Sequence, residues 1–88
     1  PDVGTILPGL GEPVMLRLEA GDPGVGRTLA QLDVRGLTGA AVLALDRNGG
    51  QVLLPTGQER LQSGDVLALA GAPEAVDAAA ALLKTRRG

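Results

Sequence analysis

Leu32 to Arg47 reads LDVRGLTGAAVLALDR. The stretch opens polar, turns through Gly36 to Gly39, and then runs seven residues, Ala40 to Asp46, of which six are apolar. A strand with one wet face alternates apolar and polar residues. This one does not. Strict alternation puts Val42 and Ala44 on one side and Ala41, Leu43 and Leu45 on the other, and both sides are dry. The expectation is a strand covered on both faces, in a chain of only 88 residues.

Phe, Tyr, Trp, Cys and His are all absent, so the core must come from Leu, Val and Ala with Ile6 and Met15. Aromatic side chains bury the most area per residue, and a single domain of this length sits near the low end of what folds unaided. Without a thiol there is neither a disulfide nor a thiolate metal site. Self-association remains as a way to bury more surface, and a homodimer is the expectation.

The lack of His removes the usual general base and metal ligand. The ten carboxylates are scattered singly between loops and strand ends. No catalytic residue, no metal ligand set and no enzymatic activity are expected. A formal net charge of −2 argues against a nucleic-acid partner, which calls for a basic footprint. No aromatic ring is present to stack on bases. No apolar run approaches the ~18–20 residues of a membrane span. With Pro at position 1, the chain reads as a piece of something longer.

Residues 1–13, PDVGTILPGLGEP, hold three Pro and three Gly and read as an irregular lead-in. Residues 14–85 form the domain, and residues 86–88 a basic tail. Val14 to Ala20 alternates, with Val14, Leu16, Leu18 and Ala20 opposite Met15, Arg17 and Glu19, as a half-exposed edge strand does. Thr28, with Gln31 three residues on, fits a capping box that starts a two-turn helix ending near Arg35 or Gly36. Asn48-Gly49-Gly50 is a hairpin signal, with Gln51 to Pro55 returning. Leu61 is the one apolar anchor of the polar segment from Thr56 to Gly64. Asp65 to Ala70 is a second dry strand. Pro73 and Glu74 open the last helix, with Val76, Ala79, Ala80 and Leu83 facing inward. The order strand, helix, hairpin, strand, helix predicts an α+β fold, a small, mostly antiparallel sheet with two helices on one side.

Two segments imitate chemistry. Gly21-Asp-Pro-Gly-Val-Gly26-Arg27-Thr28 has the outline of a phosphate-binding loop with Arg in place of Lys, so a small nucleotide-binding protein is the alternative from another class. The reading from local structure is a Gly/Pro turn feeding a capped helix. Arg35, at the brink of the Gly-rich turn, is placed to present a guanidinium to an anion; its structural alternatives are a helix C-terminal cation or a salt bridge with Asp33 or Asp65. Asp65 reads as a turn cap.

Taken in order, G-R-T-L-A-Q-L-D-V-R, T-G-A-x-V-L-A-L-D-R-N-G, L-P-T-G-Q-E-R-L and S-G-D-V-L-A-L-A-G resemble the C-terminal regulatory domain of potassium-conductance regulators, the RCK-C or TrkA-C family. The likeness covers about Val14 to Leu83. It implies a dimerising α+β domain on the cytoplasmic side of a potassium channel, monovalent-cation transporter or cation/proton antiporter, tethered to that membrane protein and often behind an RCK-N domain. Some members bind cyclic di-AMP between two protomers. Carried over, the ligand positions are Arg35, Ala40, Ala41, Val42 and Pro55. Where binders of that nucleotide carry Asn, this chain has Ala41. The resemblance thus implies a regulatory domain with a cyclic di-AMP or other anionic effector site, or a homodimerisation module without ligand.

Overall fold

The structure is a computed structural model and describes residues 12–84. Most of the expected lead-in, residue 85 and the basic tail lie outside the described residues. The elements are β1 (Val14–Arg17), α1 (Leu29–Leu32), α2 (Val34–Thr38), β2 (Ala41–Arg47), β3 (Gln51–Leu53), β4 (Val66–Ala70) and α3 (Pro73–Leu83). The strands form one sheet in the order β1-β4-β2-β3, every neighbouring pair antiparallel. The two dry strands are the central ones, and the alternating strand is an edge, as expected. In the hairpin, Asn48 and Gly49 take φ of 61° and 69°, a region that Asn and Gly enter at little cost.

Strict alternation along β2 fails at one place. Val42 pairs with Leu69 and Ala44 with Ala68, so one extra residue is accommodated between them in a bulge. Leu69 and Ala68 are consecutive and point to opposite faces. The bulge therefore returns Leu45 to the same side as Val42 and leaves Ala44 on the other. The expected grouping of Val42 with Ala44, and of Ala41 with Leu43 and Leu45, is corrected by this single insertion. Leu43 sits at the bulge and is 48% exposed.

One face of the sheet carries Val42, Leu45, Leu67 and Leu69. Onto it pack Leu32 and Val34 from the helical connection and Val76, Ala79 and Leu83 from α3, all in one cluster with Leu18, Ala40 and Leu61. Six leucines, Leu18, Leu45, Leu61, Leu67, Leu69 and Leu83, are no more than 1% exposed. Each contributes about 1.5–3 kcal/mol by burial, which is how a chain without aromatic side chains assembles a core. Ala80, expected inside, is only partly buried. Among the described residues, the helices pack on that face and none lies over the other. Met15 and Val52 stand exposed there, around a floor of Ala41, Ala44, Ala68 and Ala70. The second dry face of the sequence is thus lined by small residues, with Ala68 buried and Ala41, Ala44 and Ala70 partly buried.

The predicted two-turn helix is two one-turn pieces. Thr28 accepts from the Gln31 amide at 3.1 Å and donates its own amide to Gln31 Oε1 at 2.9 Å, the expected capping box. Asp33 then turns left-handed, with φ 49° and ψ 47°, closing α1 and opening α2. Asp tolerates this conformation better than most side chains. The elbow swings α2 so that it ends at Gly39, immediately before β2.

Candidate functional site

The elbow at Asp33, the start of β2 and the segment after β3 enclose an open cavity of about 390 Å³. Arg35, Ala41, Val42 and Pro55 line it together with Asp33 and Thr56. Ala40 does not: it is wholly buried in the core beneath the site. The outer wall, from Pro55 to Gly57, is tied down because Gly57 O accepts from Ala30 N at 2.8 Å and Glu59 O from Leu29 N at 3.1 Å. These carbonyls also satisfy the first amides of α1, so one set of bonds serves helix and wall.

Arg35 is exposed, and among the described residues it makes no ion pair with Asp33 or Asp65. Its guanidinium is free to take an anion at the cavity mouth. Asp33 contributes one negative charge to the same cavity, so the site favours a ligand with a cationic or amide edge as well as an anionic group. Ala41 contributes only a methyl group to the lining. The lining is otherwise aliphatic, from Leu29, Val34, Val42 and Pro55.

The glycine loop is not a phosphate cradle. Its amides are spent inside the protein: Asp22 N on Glu19 O, Gly24 N on Leu83 O, Val25 N on Asp22 O, Gly26 N on Leu61 O and Arg27 N on Gly24 O. A phosphate loop presents those groups to ligand. The helix that follows has four residues, and among the described residues every strand pair is antiparallel. The nucleotide-binding alternative falls on these bonds.

Asp65 does cap its turn, accepting from Gln62 N at 2.8 Å, but it also has a partner that residue spacing did not reveal. Arg47 Nη2 lies 2.8 Å from Asp65 Oδ2 and its Nη1 lies 3.1 Å from Glu59 Oε2, with Nη2 also donating to Arg60 O at 3.0 Å. Burial pushes the Asp65 carboxyl upward; the Arg47 hydrogen bond, the Gln62 amide and the Arg47 charge outweigh it and hold the group below its ordinary range. The only hint in the sequence is an Arg ending an apolar strand. At the far side, Lys84 Nζ bridges Asp22 Oδ2 at 2.9 Å and Arg17 O at 2.6 Å, fastening the end of α3 to the edge strand.

A family model described as the TrkA-C domain matches residues 14–84. No curated protein matches the chain. Among solved structures, the RCK_C domain dimer of S. agalactiae BusR in complex with c-di-AMP is similar at a TM-score of 0.67 and 19% identity, over 75% of this chain and 87% of that one. S. agalactiae BusR in complex with its busA-promotor DNA gives 0.68 and 20%, over 80% of this chain and 35% of that one. The GsuK RCK domain gives 0.63 and 25%, over 84% of this chain and 17% of that one. The BusR likenesses speak to the fold. The chain spans only a minor part of the whole BusR and GsuK chains. Among the described residues, no helix is long and apolar enough to cross a membrane.

Proposed function

The chain belongs to the TrkA-C domain family, and from that premise we propose that it is a non-enzymatic regulatory domain of a monovalent-cation channel, transporter or cation/proton antiporter, working as a homodimer that senses a small anionic effector. The observation that carries the reading is the cavity itself. Four of the five positions to which the family's ligand site maps, Arg35, Ala41, Val42 and Pro55, line one cavity that carries the Arg35 guanidinium, without an ion pair among the described residues.

The mechanism is differential contact. An effector held by Arg35 stabilises one arrangement of the dimer over another, and that preference is the signal delivered to an attached membrane part on the cytoplasmic side. An RCK-N domain is the expected neighbour. Cyclic di-AMP is the first effector to try because one BusR domain dimer holds it. Ala41 lacks the amide that would read its base, so other anionic nucleotides stand beside it. DNA contact in BusR is assigned to no surface of this domain, whose net charge of −2 disfavours polyanions.

Sedimentation velocity of the full chain, with and without cyclic di-AMP or ADP, tests the coupling. A ligand-dependent change in the monomer–dimer equilibrium supports it. An unchanged equilibrium under saturating ligand removes it.

A further inference from the structure

We propose that the cavity at the Asp33 elbow selects a guanine nucleotide, with the Asp33 carboxylate reading the base and the Arg35 guanidinium holding a phosphate. The assignment rests on the effector site proposed above and gives its ligand a chemical class.

Two opposite charges border this cavity of about 390 Å³. Asp33 and Arg35 are both exposed. Among the described residues neither makes an ion pair, with the other or with any other group. Neither side chain makes a hydrogen bond there either. The elbow accounts for the missing pair. Asp33 stands just before α2 in the left-handed conformation, and Arg35 lies inside the turn that follows. Residues two apart on a helical turn do not face each other. Gly36 leaves room for the carboxylate, since a Cβ there would collide with both its oxygens.

A ligand that meets both residues is anionic at one end and a hydrogen-bond donor at the other. Between the two charges the lining is aliphatic, from Leu29, Val34, Val42 and Pro55. Such walls cover the faces of a flat ring and leave its edge to the few polar groups beside them. A small zwitterion would meet the charges and cover little of the walls. A nucleotide does both.

The base follows from what a carboxylate can do, which is to accept hydrogen bonds and donate none. On its Watson–Crick edge guanine carries two neighbouring donors, N1–H and the N2 amino group. The two oxygens of one carboxylate accept from them in parallel, and such paired, charge-assisted bonds are both strong and directional. Adenine carries one donor, the N6 amino group, beside an N1 lone pair that a carboxylate oxygen repels. The side chain that suits adenine is an amide, donor and acceptor together. No Asn or Gln lines this cavity; its polar side chains are those of Asp33, Arg35 and Thr56. The phosphates go to Arg35, whose planar fork matches their oxygens.

Isothermal titration of the full 88-residue chain with GDP, ADP and xanthosine diphosphate is the test. Wild type is expected to bind GDP roughly ten- to a hundredfold more tightly than ADP, which Arg35 still holds by its phosphates. Asp33→Asn keeps the elbow, because Asn enters the left-handed region readily, but it turns one acceptor into a donor. It is expected to lose about tenfold or more in GDP affinity and to prefer xanthosine diphosphate, whose base has a carbonyl where guanine has its N2 amino group. A purely structural Asp33 predicts no such exchange. Arg35→Ala is expected to weaken all three ligands. Circular dichroism checks that each variant is folded; if Asp33→Asn is not, Asp33→Gly takes its place and must lose the preference for GDP over ADP. If wild type binds ADP as tightly as GDP, or a folded Asp33→Asn still prefers GDP to xanthosine diphosphate, the base assignment is wrong and the effector site stands. If Arg35→Ala binds GDP as wild type does, or none of the three nucleotides binds wild type, the effector site falls and the base assignment with it.

Discussion

Arg47 grips Asp65 with two parallel hydrogen bonds, Nε to Oδ1 at 3.0 Å and Nη2 to Oδ2 at 2.8 Å, and the carboxylate is 1% exposed. The pair joins the end of β2 to the start of β4. Through Glu59 and Arg60 it also pins the segment whose other end walls the Arg35 cavity. Removing one partner leaves a buried charge alone, which costs about 3–5 kcal/mol. Arg47→Met is expected to lower the urea midpoint accordingly. Arg47→Met combined with Asp65→Leu is expected to lose much less than the two single changes added together.

The same carboxylate sets a pH dependence. Its folded pKa is depressed, so its contribution to stability is present above the unfolded value of about 3.9 and disappears as pH falls through the folded value. Denaturation midpoints of the wild type should therefore drop on acidification below about pH 5. Asp65→Asn, weaker at neutral pH, should show a flatter acid limb. The raised pKa of Arg47 adds nothing to this profile, since the guanidinium is charged throughout.

Asp33 holds the left-handed elbow between α1 and α2. A β-branched residue there is strained, and Asp33→Val is expected to cost on the order of 1–3 kcal/mol. Asp33→Gly relieves the strain and should be near neutral. Thermal melts of the two variants, compared with wild type, separate backbone geometry from the loss of the carboxylate common to both.

Gly24 is where the glycine loop touches the last helix. A Cβ there would meet Leu83 Cδ2 at 3.0 Å and Leu83 O at 3.2 Å. Gly24→Ala is expected to destabilise by about 1–3 kcal/mol through overpacking. Gly26 has open space around its Cβ position but a φ of +87°, so Gly26→Ala should also destabilise, by backbone strain rather than contact. Both effects appear in chemical denaturation without any ligand, as a structural turn requires.

How far residues alone lead is clear from these elements. The capping box of Thr28 and Gln31, the hairpin at Asn48 and the opening of α3 at Pro73 are set by neighbours in sequence, and local chemistry announces them. The bulge beside Leu43 is not local. It answers to the register with β4, so alternation misassigned the faces of β2 although the strand itself was plain. The kink at Asp33 was hidden because Asp has no strong preference that separates elbow from helix end. At the site, Arg35, Ala41, Val42 and Pro55 come from three separate segments, and only the resemblance put them in one set. Ala40, adjacent in sequence, points into the core. Arg47 with Asp65 joins residues 18 apart, a pairing that no spacing rule reaches.

The most direct test of the regulatory reading is isothermal titration of the full chain with cyclic di-AMP, ADP and ATP, repeated on Arg35→Ala. The account predicts saturable binding of at least one of them to the wild type, weakened about tenfold or more when the guanidinium is removed. Flat traces with all three, or equal affinity in Arg35→Ala, would contradict it.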